Sequence, residues 1–348
     1  MNTFFIEFRD PLFGVIIFFI LVFIITISSY WWTKYTNKEK VKSLDKFLQD
    51  LKQIPTTKEM HSLMSEGSLS EKSWMLLAGL YSKNGDFEKS IEIYNELLKV
   101  NNTQNTIELM FMLGKTYFKA GFLERAKQIF LNILKNNPRT PEALRYLLLV
   151  YEYMRDFDSA FEVLEPLDEL KLDIELDAHY LRAMKLLSDN TIECDEKAIQ
   201  LLDIYKKDAD LTYMVFEYLF RVNPSLAWKN FDGSRGKLLI DILWSLKREK
   251  LDLDIISKNS FLKELYTARG DIQEVSKSNI FELDVLINLQ NKTNATLSFE
   301  YICDNCKQVF PFAFHRCSSC HAIDTIGIEY ALVKSYQGIN SEENNSFQ

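Results

Sequence analysis

Hydrophobic and polar positions follow three different rhythms along the chain. From Leu12 to Trp32 every residue is uncharged and most are large and apolar, in the run LFGVIIFFILVFIITISSYWW. At about 1.5 Å of rise per residue, a helix of this length covers the roughly 30 Å hydrocarbon core of a bilayer. The run is longer than the apolar part of a secretion signal, no basic stretch precedes it, and no small-x-small cleavage site follows. It ends in Tyr30, Trp31 and Trp32, side chains that suit the membrane–water interface. An uncleaved, single-pass anchor within residues 1–33 is predicted. From about residue 71 the apolar positions recur at helical spacing, and near residue 300 that spacing gives way to short strand-like pieces around two close pairs of cysteines.

Charges flanking the apolar run orient it. Glu7, Arg9 and Asp10 precede it, whereas Lys34, Lys38, Lys40, Lys42 and Lys46 follow. The positive-inside rule then places the N-terminus outside and everything after Lys34 in the cytoplasm. The lysines are also placed to meet anionic lipid headgroups. Residues 34–70 read as a helical connector, with Leu44, Phe47, Leu48 and Leu51 at helical spacing and Pro55 as a break.

Three windows in the helical region align. They are WMLLAGLYSKNGDFEKSIEIYNELL from Trp74, MFMLGKTYFKAGFLERAKQIFLNIL from Met110 and LRYLLLVYEYMRDFDSAFEVLEPL from Leu144. Each opens with a large residue, an apolar one three later and a tyrosine four beyond that: Trp74/Leu77/Tyr81, Met110/Leu113/Tyr117 and Leu144/Leu147/Tyr151. A small residue then begins the second helix (Ser90, Ala126, Ala160), with a large one four later (Tyr94, Phe130, Leu164). This resembles the tetratricopeptide repeat (TPR), and Gly114 and Pro138 fall on the same pattern. The physical logic is packing: small residues let the two helices of a hairpin approach, and aromatics fill the space to the next hairpin. Three TPR-like repeats over residues 71–170 are expected.

Beyond residue 170 the register weakens while helical periodicity continues in 173–188, 195–206, 210–221, 236–248, 259–268 and 279–290. Residues 171–292 read as degenerate TPR-like hairpins. Cys194 falls in an expected turn between Asp189 and Asp195 and has no companion motif, so it reads as a plain free thiol. The polar residues 338–348 read as a disordered tail.

The remaining four cysteines, Cys303, Cys306, Cys317 and Cys320, form C-x2-C-x10-C-x2-C. Two such turns each direct two thiolates to one point, which makes a tetrahedral all-sulfur metal site within residues 293–337. A closed shell of four thiolates favours structural Zn2+. Iron in the same shell would make a rubredoxin-type electron carrier. Short strands around Tyr301 and Val309, with Phe310, Phe312 and Phe314, are expected to enclose the ion. His315 and His321 adjoin the knuckles, but four thiolates already fill the shell, so they read as supporting or surface residues.

Composition narrows the functions. Scarce glycine (11) and proline (7) suit long helices. A net charge of −8 argues against sequence-independent binding to nucleic acid, which needs a basic face. There is no phosphate loop, no HExxH and no GxSxG, and the only histidines are His61, His179, His315 and His321. No catalytic residue or small-molecule cofactor site is assigned, and an enzyme is not expected.

Anchor, repeat array and terminal four-cysteine knuckle, in that order, resemble the LapB (YciM) family. The tail from Tyr301 to Ile326 is the most telling part, with an aromatic before CxxC, a hydrophobic stretch, and CxSC leading to Thr325 and Ile326. The family's knuckles usually read CxxCG and CPSC; this chain has Lys307 and Ser318 in place of the Gly and Pro. The resemblance implies an all-α solenoid on one transmembrane helix, a small rubredoxin-like zinc knuckle packed against the repeat groove, and a place in the bacterial inner membrane with the N-terminus periplasmic. It implies a scaffold that acts with the FtsH protease and its deacetylase client in regulating lipopolysaccharide synthesis. Partner proteins are expected in the TPR groove, and a homo-oligomer is compatible with all of these features. Two other readings fit the same residues: a chaperone for another inner-membrane assembly such as a flagellar motor, and a rubredoxin-like electron carrier.

Overall fold

Recurrent three-and-four spacing of apolar residues builds helical hairpins through most of the chain, and the capping residues between them set where each helix stops. The computed structural model describes residues 70–100, 106–207, 209–289 and 294–335, together with Phe23. Apart from Phe23, the predicted anchor lies outside the described residues, as do residues 34–69 of the connector and the tail after residue 337. Among the described residues no helix is long and apolar enough to cross a membrane.

The chain divides into two compact units, residues 1–143 and 144–348. In the first, helix α1 (Glu71–Lys83) pairs with α2 (Phe87–Val100), and α3 (Thr106–Lys119) pairs with α4 (Leu123–Asn136). Ser70 caps α1, its hydroxyl accepting from the Ser73 N–H at 3.3 Å. The repeat positions are the core: Trp74, Leu77, Tyr94, Leu113, Tyr117, Ala126 and Phe130 are buried. Gly114 shows why the pattern needs a small residue there. A Cβ at that position would stand 2.8 Å from the Phe130 ring, so the ring of α4 sits directly on the backbone of α3.

In the second unit, α5 (Pro141–Tyr153) and α6 (Phe157–Glu169) form the third hairpin, α5 starting at the boundary between the units. Leu144, Leu147, Ala160 and Leu164 are buried, as the repeat reading expects. Helices α7 (Glu175–Ser188) and α8 (Cys194–Lys207) make a fourth pair. Cys194 is the first residue of α8 rather than part of the turn, and it is exposed. Then come α9 (Thr212–Val222), α10 (Pro224–Asn230), α11 (Ile240–Ser245), α12 (Leu253–Ile256), α13 (Ser260–Arg269) and α14 (Phe281–Asn288).

Two departures from expectation lie here. The helix expected over 236–248 is a 3-10 segment, Gly233–Leu239, followed by the short α11. Gly236 explains the tighter winding: a Cβ there would stand 2.8 Å from the Phe261 ring, so the segment is pressed against α13. Helix α10 was not expected. It starts on Pro224, which suits a first helical turn, and Asn223 caps it by accepting from the Leu226 N–H at 3.0 Å.

The all-α expectation needs correction at the C-terminal end. Strands β1 (Ala295–Cys303), β2 (Val309–Phe310) and β3 (Ile326–Lys334) form an antiparallel sheet in the order β2-β1-β3. β1 and β3 pair from Ala295↔Lys334 to Cys303↔Ile326, so the sheet is far longer than the short pieces foreseen near Tyr301 and Val309. Its residues Leu297 and Ile326 join Tyr180, Leu201, Phe216, Leu243, Leu265 and Leu283 in one hydrophobic cluster. Sheet and helices α7–α14 therefore fold around a shared core.

The turns of the first three hairpins place the same position in the left-handed region: Gly85 (φ 85), Gly121 (φ 79) and Arg155 (φ 58). The third turn keeps this shape without glycine, and a left-handed L-residue costs about 1–2 kcal/mol. Arg155 is exposed. Arg155→Gly is expected to raise stability by up to about 1 kcal/mol, the relief of strain less the extra freedom of an unfolded glycine. Urea unfolding of the two proteins side by side checks this.

Candidate metal centre

The two knuckles are the same local structure built twice. In the first, the Lys307 N–H donates to the Cys303 carbonyl at 2.7 Å; in the second, the His321 N–H donates to the Cys317 carbonyl at 2.8 Å. Lys307 (φ 60) and His321 (φ 63) both take the left-handed conformation that closes such a turn. The Lys307 position is the one where the resembled family carries glycine, so the backbone shape survives the substitution and bears its strain.

These turns bring all four sulfurs within 4.8 Å of one another. Cys303 Sγ lies 3.5 Å from Cys320 Sγ, and Cys306 Sγ lies 3.7 Å from Cys317 Sγ. Four sulfurs about 2.3 Å from a central zinc would stand about 3.8 Å apart, so the cluster has the size of a tetrahedral thiolate site. Cys303 and Cys317 are fully buried, Cys320 is half-buried and Cys306 is exposed, so the centre has one open side. Burial pushes the Cys303 thiol up, but hydrogen bonds from Thr325 and the Cys306 and Asn305 N–H groups outweigh it and pull it down to about 6. Burial pushes the Cys317 thiol up to about 12. The pocket thus holds a thiolate readily at Cys303, and a bound cation would have to supply the rest of the ionisation. Cys194 stands apart from this cluster.

Around the sulfurs the aromatic side chains divide. Phe310 and Phe314 pack edge to face at 4.9 Å, whereas Phe312 is 79% exposed and covers nothing. The two histidines face helices rather than the sulfurs. His315 Nε2 lies 3.0 Å from Glu217 on α9, whose carboxyl the contact holds below its ordinary range. The His321 ring meets Tyr146 of α5 edge to face at 5.8 Å.

Arg316, directly before Cys317, fastens the second knuckle to the helices. Its side chain is 7% exposed. Nε lies 2.9 Å from Glu152 of α5, Nη2 lies 3.0 Å from Asp177 of α7, and Nη1 donates to the His321 carbonyl at 2.8 Å. The guanidinium also lies over the Tyr180 ring at 4.8 Å. Burial raises the Glu152 carboxyl, and the cation opposes that rise. Asp324 makes a second attachment. Its carboxylate accepts from the Tyr213 and Met214 N–H groups at 2.9 and 3.3 Å, at the first turn of α9. On the sheet, the Tyr301 hydroxyl donates to Asp241 at 2.9 Å and shares that carboxylate with Tyr213 at 2.7 Å. Sequence reading missed Arg316, Asp324 and Asp241, because an isolated charge in a sequence does not reveal its partner: the carboxylates that meet Arg316 and the N–H groups that meet Asp324 are more than a hundred residues away, and the tyrosines that meet Asp241 are 28 and 60 residues away. The only trace is that Arg316 and Asp324 flank the second cysteine pair closely.

Two expectations follow. Removing Arg316 leaves the buried Glu152 and the half-buried Asp177 without their cation, so Arg316→Met should cost about 3–5 kcal/mol. Arg316→Met with Glu152→Gln should recover part of it. Chemical unfolding of the four proteins of this cycle tests both statements. Burial lifts the Asp324 carboxyl to about 7, against the opposing pull of the Tyr213 N–H and His315. A folded pKa above the unfolded value means the native state holds the extra proton between about pH 4 and 7. Stability contributed by Asp324 is therefore complete below about pH 4 and is lost as pH rises towards 7. Asp324→Asn should abolish that component, so the wild-type protein should lose stability relative to the variant across this window, measured in parallel urea titrations.

Comparison with known proteins gives two matches to tetratricopeptide repeat models, at residues 71–104 and 108–140. The lipopolysaccharide assembly protein B of Escherichia coli K12 is 25% identical over 139 residues, covering 39% of this chain and 32% of that protein. The proteins of the same name from strains O6:H1 and O157:H7 match to the same extent. The chain thus aligns with about a third of the length of these curated relatives. Among solved structures, a tetratricopeptide repeat protein from Parabacteroides merdae is 14% identical, with a TM-score of 0.38 over 72% of this chain and 98% of that one. BtubC from P. vanneervenii is 15% identical, with a TM-score of 0.27 over 70% and 94%. Residues 71–140 thus carry TPR repeats, and the chain is similar to lipopolysaccharide assembly protein B in part of its length.

Proposed function

We propose that this chain is a membrane-anchored TPR adaptor, similar in role to the lipopolysaccharide assembly proteins, with a structural zinc at its four-cysteine centre. The observation that carries this reading is the fusion of the thiol cluster with the helical array. Arg316, Asp324 and Asp241 tie knuckle and sheet to α5, α7, α9 and α11, and Leu297 and Ile326 enter the helical core. A cation at Cys303, Cys306, Cys317 and Cys320 would neutralise thiolates and cross-link the two knuckles. Its work there is to hold the helices in one arrangement, since the chain commits its buried polar contacts around the centre to fixing position.

The anchor of residues 1–33 would hold the array beside inner-membrane complexes, with the N-terminus periplasmic and the repeats cytoplasmic. Helical repeats present extended surfaces for segments of other proteins. In this reading the array recruits a client to a membrane protease of the FtsH type and so sets the level of an enzyme of lipopolysaccharide synthesis. In the same reading the residues around the centre serve binding and stability rather than catalysis.

Full-length protein purified in detergent is expected to contain one zinc per chain and to be colourless; a coloured iron form would favour the electron carrier instead. Cys303→Ser with Cys306→Ser should lose the metal and, with it, much of the thermal stability, because metal binding is folding free energy in such knuckles. An unchanged melting temperature would sink the structural role. Depleting the chain in cells should lengthen the half-life of a crosslinked client if the chain delivers it to a protease. A shortened half-life would assign it to a protective chaperone.

A further inference from the structure

The first unit carries a groove whose charge is opposite in sign to that of the whole chain. The groove is a cavity of about 610 Å3, within the size range of ligand sites. Two helical stripes line it. On α1, Lys72, Leu76, Leu80 and Lys83 recur at spacings of four, four and three; on α3, Glu108, Met112, Thr116 and Lys119 recur in the same way. The two stripes are one repeat apart, so corresponding turns of α1 and α3 face the same space.

The groove is graded along its length. One end is cationic: Lys83 and Lys119 end their helices there, and Lys115 stands one turn before Lys119. Partial burial, then the charges of Lys115 and Lys83, hold the Lys119 ammonium below the ordinary lysine range, so the three ammoniums feel one another. Lys83 and Lys119 make no ion pair among the described residues. Ser82 adds a hydroxyl at the same end, 3.5 Å from that of the buried Thr116, which donates to the Met112 carbonyl at 2.9 Å. Towards the other end the wall is apolar, with Met75, Leu76 and Met112; Leu76 is 55% exposed although its neighbours Trp74 and Leu77 are buried. Gly79 keeps the floor low, since a Cβ there would meet nothing closer than the Tyr94 hydroxyl at 3.9 Å. The groove has four lysines against one carboxylate, Glu108, in a chain whose net charge is −8. This sign reversal makes it a local attractor for anionic ligands.

We infer that the α1–α3 groove binds an extended acidic peptide segment of a partner protein, with carboxylates at Lys83, Lys115 and Lys119 and a bulky apolar side chain against Leu76 and Met112. The inference rests on the adaptor reading and names the chemistry of what the adaptor holds. Main-chain groups of such a segment would meet the Ser82 hydroxyl, and its carboxylates would relieve the mutual repulsion of the lysines.

The test uses the full-length chain in detergent and a labelled peptide of two leucines followed by three glutamates. Control probes are the same peptide with glutamine or lysine for glutamate, phosphatidylglycerol vesicles, and a peptide of residues 338–348. The acidic peptide should bind more tightly than either substituted peptide, and binding should weaken with salt. Lys83→Glu with Lys119→Glu, both exposed positions, should weaken it at least tenfold at unchanged circular dichroism and should confer binding of the lysine peptide. Equal binding of the acidic and glutamine peptides, indifference to the double substitution, or binding of vesicles or the 338–348 peptide in place of the acidic peptide overturns the inference. Crosslinking in membranes separates it from the adaptor reading. A client retained by both wild-type and charge-reversed chains leaves the adaptor standing and removes the groove; absence of any crosslinked client, with no peptide binding, removes both.

Discussion

A guanidinium buried between two carboxylates is the constraint around which the second unit is arranged. Arg316 is charged at any accessible pH, and taking such a group out of water is costly unless its donors are all met. Glu152, Asp177 and the His321 carbonyl meet them from α5, α7 and the second knuckle. The arrangement tolerates little displacement, because a shift of any of the three elements exposes an unpaired charge to a low-dielectric surrounding. The position of the thiol cluster relative to the helices is thereby fixed by electrostatics, while the shared apolar core supplies most of the favourable free energy.

The centre itself is held from several directions. Arg316 governs the approach to Cys317, Thr325 reaches Cys303 Sγ at 3.3 Å, and β1 delivers Cys303 at the end of its pairing with β3. Asp324 adds a helix-terminal contact of the kind that favours negative charge. Each contact orients a backbone segment that carries a sulfur or adjoins one.

Legibility in the sequence followed the range of the interactions. The repeat positions Trp74, Leu77, Leu113, Ala126 and Phe130 could be read because each acts on neighbours within one or two helices and leaves a periodic trace. The cysteine pairs could be read because two short turns contain all the chemistry of the site. The long β1–β3 pairing was missed because it joins segments on either side of the knuckles, and alternation alone does not tell a strand its partner. Arg316, Asp324 and Asp241 were missed for a related reason: their partners lie on other elements, helices far back along the chain for Arg316 and Asp324 and a helix and a strand for Asp241, and only tertiary structure gives a buried charge its meaning. Gly236 misled through its bland helical surroundings, since the ring that tightens the 3-10 segment belongs to α13.

The contact between Glu152 and Arg316 closes a loop of 164 residues. During synthesis α5 leaves the ribosome long before Arg316 does, at an elongation rate of about 5–20 residues per second. For that interval Glu152 and Asp177 lack their counter-charge, and the helical faces that will receive Leu297 and Ile326 are uncovered. Non-local closures of this kind are slow and leave partly formed cores open to aggregation. The second cysteine knuckle emerges after the helices it binds, so a nascent chain that stalls before Arg316 presents the cell with an incomplete core in this unit.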